Sequence, residues 1–367
     1  MGYSSTVSTW AAMLAALAAG ACHGVSRQAA AIGYAFPDRP TDVVRLAEQV
    51  IDAANTPRLS IQIVRDTTHE EDAPDVEVKR AELLVAVPGV VAVVGHSSSR
   101  GSLAAAPVYN EAKIVQLTPT STSRLLWSAG PWTFNLAPND SVQGALIGRF
   151  VAERLGARRV TIFFVNDEYG LDLRDGVAAE LQRRGVAIGD RVSMDLGSDF
   201  ATLVRASLAR STPDVVVVAG RQLETGTIAR LLREYGIPRA VVGGDGALSL
   251  PQLLEYAGPA ADSIYAVAFW AVDDTNPRSR AFVADYRRVV GGTPQSFDAM
   301  TYDALLLLAT AIRAVGPTPS AVRGYLLDLG RGRPPYPGVT GPITFAPSAR
   351  PRLMMMHLRG GVLHRVQ

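Results

Sequence analysis

From residue 59 onward, short β-branched runs alternate with stretches in which apolar residues recur at three- and four-residue spacing. The short runs predict strands over residues 59–64, 90–94, 114–117, 160–165, 214–219, 240–242 and 263–267, nearly all followed by turn residues. The periodic stretches predict helices over 76–87, 140–155, 171–184, 200–210, 224–235 and 276–290. Such alternation builds parallel sheets with covering helices, because each parallel connection has to cross one face of its sheet. Ile162 to Val165 and Val215 to Val218 have no polar side to turn toward water, so they are expected to be buried on both faces. Residues 297–315 form a long apolar helical stretch, and 330–341 are dense in Gly and Pro, hence a loop. Three β-like runs, 339–345, 352–358 and 362–366, then predict a meander that adds to, or crosses back onto, one of the sheets. No internal repeat stands out.

A length of 367 residues exceeds what one core usually organises, which sets an expectation of two domains of roughly 150 residues each. Apolar residues at 48% and charged residues at 19% exclude a disordered chain and a multi-span membrane protein. A formal net charge of +2, with acids and bases scattered, leaves no basic stripe for nucleic acid. Residues 10–21 are the exception to this evenness: an almost uninterrupted apolar run, too short to span a bilayer and ending at Cys22. Residues 1–22 are therefore expected to be a secretory signal peptide. The run Ala19-Gly20-Ala21-Cys22 also resembles a bacterial lipobox, in which the cysteine is acylated, although the usual Leu is Ala19 and no Lys or Arg precedes the run. The readings left open are a lipid anchor at Cys22, a simple cleaved signal and a buried Ala-rich helix. Since Cys22 is the only cysteine, the rest of the chain has no disulfide, thiolate metal site or cysteine nucleophile.

In open parallel sheets ligands bind beyond the carboxyl ends of the strands, so the residues after each strand are the place to look for function. After 90–94 comes Gly95-His96-Ser97-Ser98-Ser99, hydroxyls and free amides at a helix start, which reads either as an anion site or as a plain N-cap. After 114–117 comes Thr118-Pro119-Thr120-Ser121-Thr122-Ser123, again donor-rich and readable as turn chemistry. Together the two runs can hold both oxygens of a carboxylate through neutral donors. In the other half, Asn166-Asp167-Glu168-Tyr169-Gly170 and Gly243-Gly244-Asp245-Gly246 place an aromatic and acids at strand ends. Asp245 suits a ligand ammonium or is a solvated acid in a Gly-rich turn, and Tyr169 is a site residue or a packing residue.

No catalytic constellation accompanies these groups. His23, His69, His96, His357 and His364 show no metal-ligand spacing, and His96 reads as a structural residue rather than a base. A GxSxG elbow, a Walker loop and a GxGxxG turn are all missing, so no cofactor, metal or enzymatic activity is expected.

The ordered series of motifs resembles the type I periplasmic binding proteins, specifically the branched-chain amino acid (Leu/Ile/Val) binding family of ABC importers. Its parts are Arg65-Asp66 at a strand end, the runs at 90–99 and 106–123, Phe134, Pro138-Asn139-Asp140 and Gln143-Gly144, then 166–170, Asp199-Phe200, 213–220, 243–246, 302–312 and 338–345. The resemblance implies an α/β fold of two lobes, each a mostly parallel sheet flanked by helices, joined by three crossovers near 136–139, 268–273 and 335–338. Lobe one would hold residues 31–136 and 271–335, and lobe two 137–270 and 336–367. By the same resemblance Ser99 and Thr122, with the main chain of Thr120 and the neighbouring Ser98, would hold an amino acid carboxylate, Asp245 its ammonium, and Tyr169 would close over the ligand. Where the family often has aromatics, this chain has Arg221 and Gln222. Arg221 either favours a second acid group on the ligand or lies outside the pocket. Tyr34, Phe36, Phe269 and Trp270 are the other expected pocket walls. The implied partners are a small amino acid-like molecule and an ABC transporter permease, with the membrane met only through a lipid anchor and with no nucleic acid. The implied location is periplasmic or cell-surface. A ligand sensor using the same cleft, and a drifted nucleotide-dependent enzyme, are the competing functions.

Overall fold

A computed structural model describes residues 28–36, 42–65, 73–272, 275–346 and 352–366. The expected signal peptide at 1–22 and the lipidation site Cys22 lie outside the described residues. The chain opens with β1 (Gln28–Ala35), α1 (Asp42–Ala53), β2 (Leu59–Arg65), α2 (Pro74–Ala86), β3 (Val90–Gly95), α3 (Ser99–Ala112), β4 (Val115–Thr118) and β5 (Thr133–Asn135). These five strands form one parallel sheet in the order β2-β1-β3-β4-β5. Alternate residues of β1 enter different cores: Ile32 and Tyr34 join one cluster and Ala31 and Ala35 the other. A strand sandwiched in this way needs small or apolar residues at every position.

The chain then builds α4 (Asp140–Glu153), β6 (Arg159–Val165), α5 (Glu168–Arg183), β7 (Ala187–Met194), α6 (Phe200–Arg210), β8 (Val215–Ala219), α7 (Gln222–Glu234), β9 (Ala240–Gly243), α8 (Leu250–Ala257) and β10 (Ile264–Ala268). It returns to the first core as α9 (Pro277–Val289), α10 (Ser296–Val315) and α11 (Pro319–Asp328), with α10 supplying Leu305, Leu308 and Ile312. A short antiparallel pair, β11 (Tyr336–Pro337) and β12 (Pro342–Ile343), precedes the terminal hairpin β13 (Met354–Arg359) and β14 (Val362–Arg365). The second sheet runs β14-β13-β10-β9-β8-β6-β7, parallel except for that hairpin.

Three passages join the lobes. The first separates Asn135 from Asp140, and the second falls between Phe269, in the second core, and Trp270, in the first. The third differs from the crossover expected at 335–338. Tyr336 and Val339 are buried in the first core and Phe345 packs against it, whereas Leu353 packs against the second. The chain therefore changes lobe between 345 and 353, and the run 339–345 is not a strand of the second sheet. Asp303 on α10 holds this segment to lobe one. Its carboxylate accepts from Val339 N (2.8 Å), Thr340 N (2.9 Å) and Thr340 Oγ1 (2.6 Å).

Candidate functional site

A cleft of about 1240 Å³ lies between the lobes, at the carboxyl ends of the strands. The first lobe's contribution depends on the turn after β3. Gly95 has φ +146°, and a Cβ there would stand 2.6 Å from the carbonyl oxygen of Ala35, so only glycine fits. The next residue, His96, is fully buried: its Nδ1 meets Glu77, its Nε2 lies 3.0 Å from the Tyr109 hydroxyl, and Arg80 pairs with Glu77. Burial opposes ionisation of Glu77, yet His96 and Arg80 hold its pKa below the usual carboxylate value. His96 thus anchors the loop and does not face the cleft.

The loop it anchors carries Ser98, whose Oγ caps α3 by accepting from Gly101 N at 3.0 Å. Ser99 points the other way. It is buried, and its Oγ accepts from Thr122 N and Ser123 N, both at 3.1 Å. Ser102 and Ser121 add a second stitch at 2.7 Å. Of the four hydroxyl residues expected at a carboxylate, Ser98 and Thr120 line the cleft, while Ser99 and Thr122 are not among its lining residues and hold the two loops together.

Across the gap, Asp245 lines the cleft just after β9. Its Oδ1 accepts from Gln143 Nε2 at 2.9 Å, and its own N–H donates to Gln143 Oε1 at 3.2 Å. Tyr169 stands behind it, 6% exposed, with its hydroxyl accepting from Gly246 N at 3.1 Å. A Cβ on Gly244 would fall 2.4 Å from that hydroxyl, which is why glycines flank the acid. Tyr169 therefore packs beneath Asp245 and does not close over the cleft as expected. Burial pushes the Asp245 pKa up to about 6, against hydrogen bonds from Gln143 and Tyr169 that favour its ionised form. Burial and the nearby Asp245 raise Asp140 well above the carboxylate range, and burial with the same acids keeps Tyr169 protonated.

Arg221, the N-cap residue of α7, is on the wall but committed. Its Nη2 donates to Asp167 Oδ2 at 2.8 Å and its guanidinium lies 5.7 Å from the Tyr169 ring centre. Burial works against its charge, but Asp167 holds its pKa above the ordinary value. Phe36 and Phe269 are also on the wall. Tyr34 stacks behind Phe36 at 4.6 Å, and Trp270 is buried in the first core against Phe282, so neither lines the cleft.

Several polar residues went unassigned in the sequence. Arg100 of lobe one reaches lobe two, with Nε 3.0 Å from Glu168 Oε2 and Nη2 3.4 Å from Asn166 O. Asp172 accepts from Ser123 Oγ at 2.6 Å and from Arg124 Nε at 2.9 Å, a second bridge between lobes. Asp140 and Gln143, on the first turn of α4, form the floor beneath Asp245. The one signal for them in the sequence is their place in the Pro138-to-Gly144 motif. Among the described residues no cluster of three His, Cys, Asp or Glu side chains could hold a metal ion.

A family model described as periplasmic binding protein matches residues 61–357. An amino acid binding protein of Pseudomonas aeruginosa is 29% identical over 245 residues, which span 66% of this chain and 65% of that protein, just under two thirds of its length. A Leu/Ile/Val-binding protein homolog of Brucella suis is 27% identical over 271 residues, 73% of this chain and 71% of that one. A leucine-binding protein structure from Thermotoga maritima superposes with a TM-score of 0.84 at 22% identity, covering 92% of this chain and 98% of that one. Two α/β cores joined by three passages around one cleft thus coincide with a sequence match over most of the chain, which belongs to the periplasmic binding protein family.

Proposed function

We propose that the chain is the extracytoplasmic solute-binding component of an ABC importer and captures an amino acid or a related small carboxylate between its lobes. The observation that carries this reading is the polarity of the cleft. Neutral donors, Ser98 and Thr120, stand on one wall beside the N-terminus of α3, and a carboxylate, Asp245, stands on the other. A zwitterion matches both, its carboxylate meeting hydroxyls and a helix N-terminus and its ammonium meeting Asp245. Ser99 and Thr122 keep the donor loops in place, and Tyr169 supports the acid from below. Arg221 already answers Asp167, so it does not call for a second acid group on the ligand.

Function on this reading needs no bond chemistry. Ligand contacts with both walls favour the closed arrangement over the open one, and closure is the signal a membrane permease reads. The apolar leader at 10–21 agrees with a place outside the cytoplasm, either free or lipid-anchored through Cys22. The names of the P. aeruginosa and B. suis relatives point to the same ligand class. A thermal-shift screen over amino acids, small amides and aromatic acids, followed by calorimetry, tests the proposal. The expected result is that zwitterionic amino acids raise the melting temperature most; a response confined to ligands without a carboxylate group, or no response to any carboxylate, overturns it.

A further inference from the structure

Beneath Asp245, behind the cleft wall, lie two polar side chains with no role yet in ligand capture, Asp140 and Gln143, both fully buried and neither lining the cleft. They occupy the first turn of α4, directly after the first passage between lobes. Gln143 Nε2 lies 3.0 Å from Asp140 Oδ1 and 2.9 Å from Asp245 Oδ1. A primary amide carries two N–H groups on that nitrogen, so each acid receives one. The same side chain's Oε1 accepts from Asp245 N at 3.2 Å, so Asp245 is clamped by both its carboxylate and its main chain. Asp140 in turn donates its backbone N–H to Thr122 O, at 2.9 Å, on the donor loop of the opposite lobe. Its Oδ2 is buried and meets no donor among the described residues.

We infer that Gln143 is a positioning residue for ligand capture, holding the Asp245 carboxylate in place and in register with the first passage between lobes, where Asp140 meets the donor loop. The inference rests on the reading of Asp245 as the acceptor for a ligand ammonium. Without the amide, the Asp245 carboxylate faces the buried Asp140 acid with no donor shared between them. The charged and titratable neighbours are Tyr169, Asp167 and Asp172 of the α5 segment and Arg221 ahead of α7, and the one cation among them is paired with Asp167. Thr122 bears on Asp140 and Tyr169 on Asp245, whereas Gln143 hydrogen-bonds both acids. Its loss turns Asp245 away from the cleft and favours its protonated form, which cannot accept an ammonium charge.

The test compares Gln143→Met, close in volume but unable to hydrogen-bond, with wild type, titrating each by calorimetry between pH 5 and 8 with the amino acid that binds wild type most tightly in the screen. Carboxyl carbon NMR follows Asp245 directly, assigned through Asp245→Asn. In wild type the Asp245 midpoint is expected at about 6, with affinity falling as pH drops through it. In Gln143→Met the midpoint is expected to rise by about one unit, which alone lowers the ionised fraction at pH 7 about twofold, and displacement of the carboxylate is expected to bring the total loss of affinity to about tenfold. If that variant does not fold, Gln143→Asn, whose amide is one methylene too short to reach both acids, should move the midpoint upward as well. A purely structural role lowers the melting temperature and leaves the midpoint where it was, and that result overturns the inference. Wild type that binds no amino acid removes the capture reading itself, whereas wild-type binding with an unmoved midpoint in the variants removes the role of Gln143 alone.

Discussion

Replacing Asp245 with asparagine keeps the shape of the side chain and removes its charge, and the structure gives the two consequences opposite signs. A hydrogen bond between a carboxylate and an ammonium in a desolvated cleft is worth about 1.5–3 kcal/mol, and each 1.4 kcal/mol is tenfold, so affinity for a zwitterion should fall roughly ten- to one-hundred-fold. Stability should move the other way. The Asp245 pKa is raised from 3.8 to about 6, chiefly by burial, so the native state prefers the neutral acid. An acid whose folded pKa lies above its unfolded value stabilises at low pH, and that contribution is lost as pH rises from about 4 to about 6. The shift converts to an upper figure of about 3 kcal/mol, which partial exposure of the side chain reduces to about 1–2 kcal/mol. Unliganded Asp245→Asn should therefore melt a few degrees above wild type at pH 7.5, with the gap closing toward pH 4. Scanning calorimetry across that range and isothermal titration with the amino acid found in the screen measure the two effects. A variant that binds as tightly as wild type, or that is destabilised equally at both ends of the pH range, refutes the reasoning.

Three further outcomes follow from the geometry. Arg100→Ala removes a cross-lobe pair whose side chains are both more than a third exposed, so the melting temperature should barely change while ligand release, followed by stopped-flow fluorescence, becomes several-fold faster. Tyr169→Phe takes away the hydroxyl that accepts from Gly246 N and supports Asp245, and should weaken binding by about three- to tenfold at a stability cost of about 1 kcal/mol; equal affinity would exclude Tyr169 from the site's support. Asp303→Ala leaves Val339 N and Thr340 N without acceptors, and urea unfolding should show a loss of about 1–3 kcal/mol with ligand affinity nearly unchanged.

The strands buried on both faces were the most legible elements, because a run such as Val215–Ala219 admits no other placement in water. The edge strand β7 was not legible, since Asp190 interrupts its inward row of Ile188, Val192 and Met194 while Gly189, Arg191 and Ser193 occupy the exposed face. The Ala-rich β1 lacks the β-branched signal for the opposite reason: its neighbours press on it from both faces. The lobe to which residues 336–346 belong is decided by Asp303, more than thirty positions earlier, and no local pattern encodes such a contact. At the site, the strand-end rule pointed to loops that line the cleft, while which hydroxyl faces the gap depends on helix phase at the start of α3. Ser98 and Ser99 are adjacent in sequence and do different work there. Gln143 and Asp140 stood in the sequence only as members of the Pro138-to-Gly144 motif, without a role, because at a helix start they look like any polar first turn.

The interlaced chain path also constrains how the molecule is made. The first lobe's core joins residues near position 32 to Leu305, Leu308, Ile312 and Val339, so part of its helical cover, α9 to α11, is synthesised long after its sheet has emerged from the ribosome. The central strands of the second lobe, β6 to β10, form one continuous stretch and can assemble while the other half waits with a bare face. A nascent chain that has passed β10 but not α10 exposes the apolar side of β1 and β3, which makes that interval of translation the time at which chaperone binding or misassociation is most consequential.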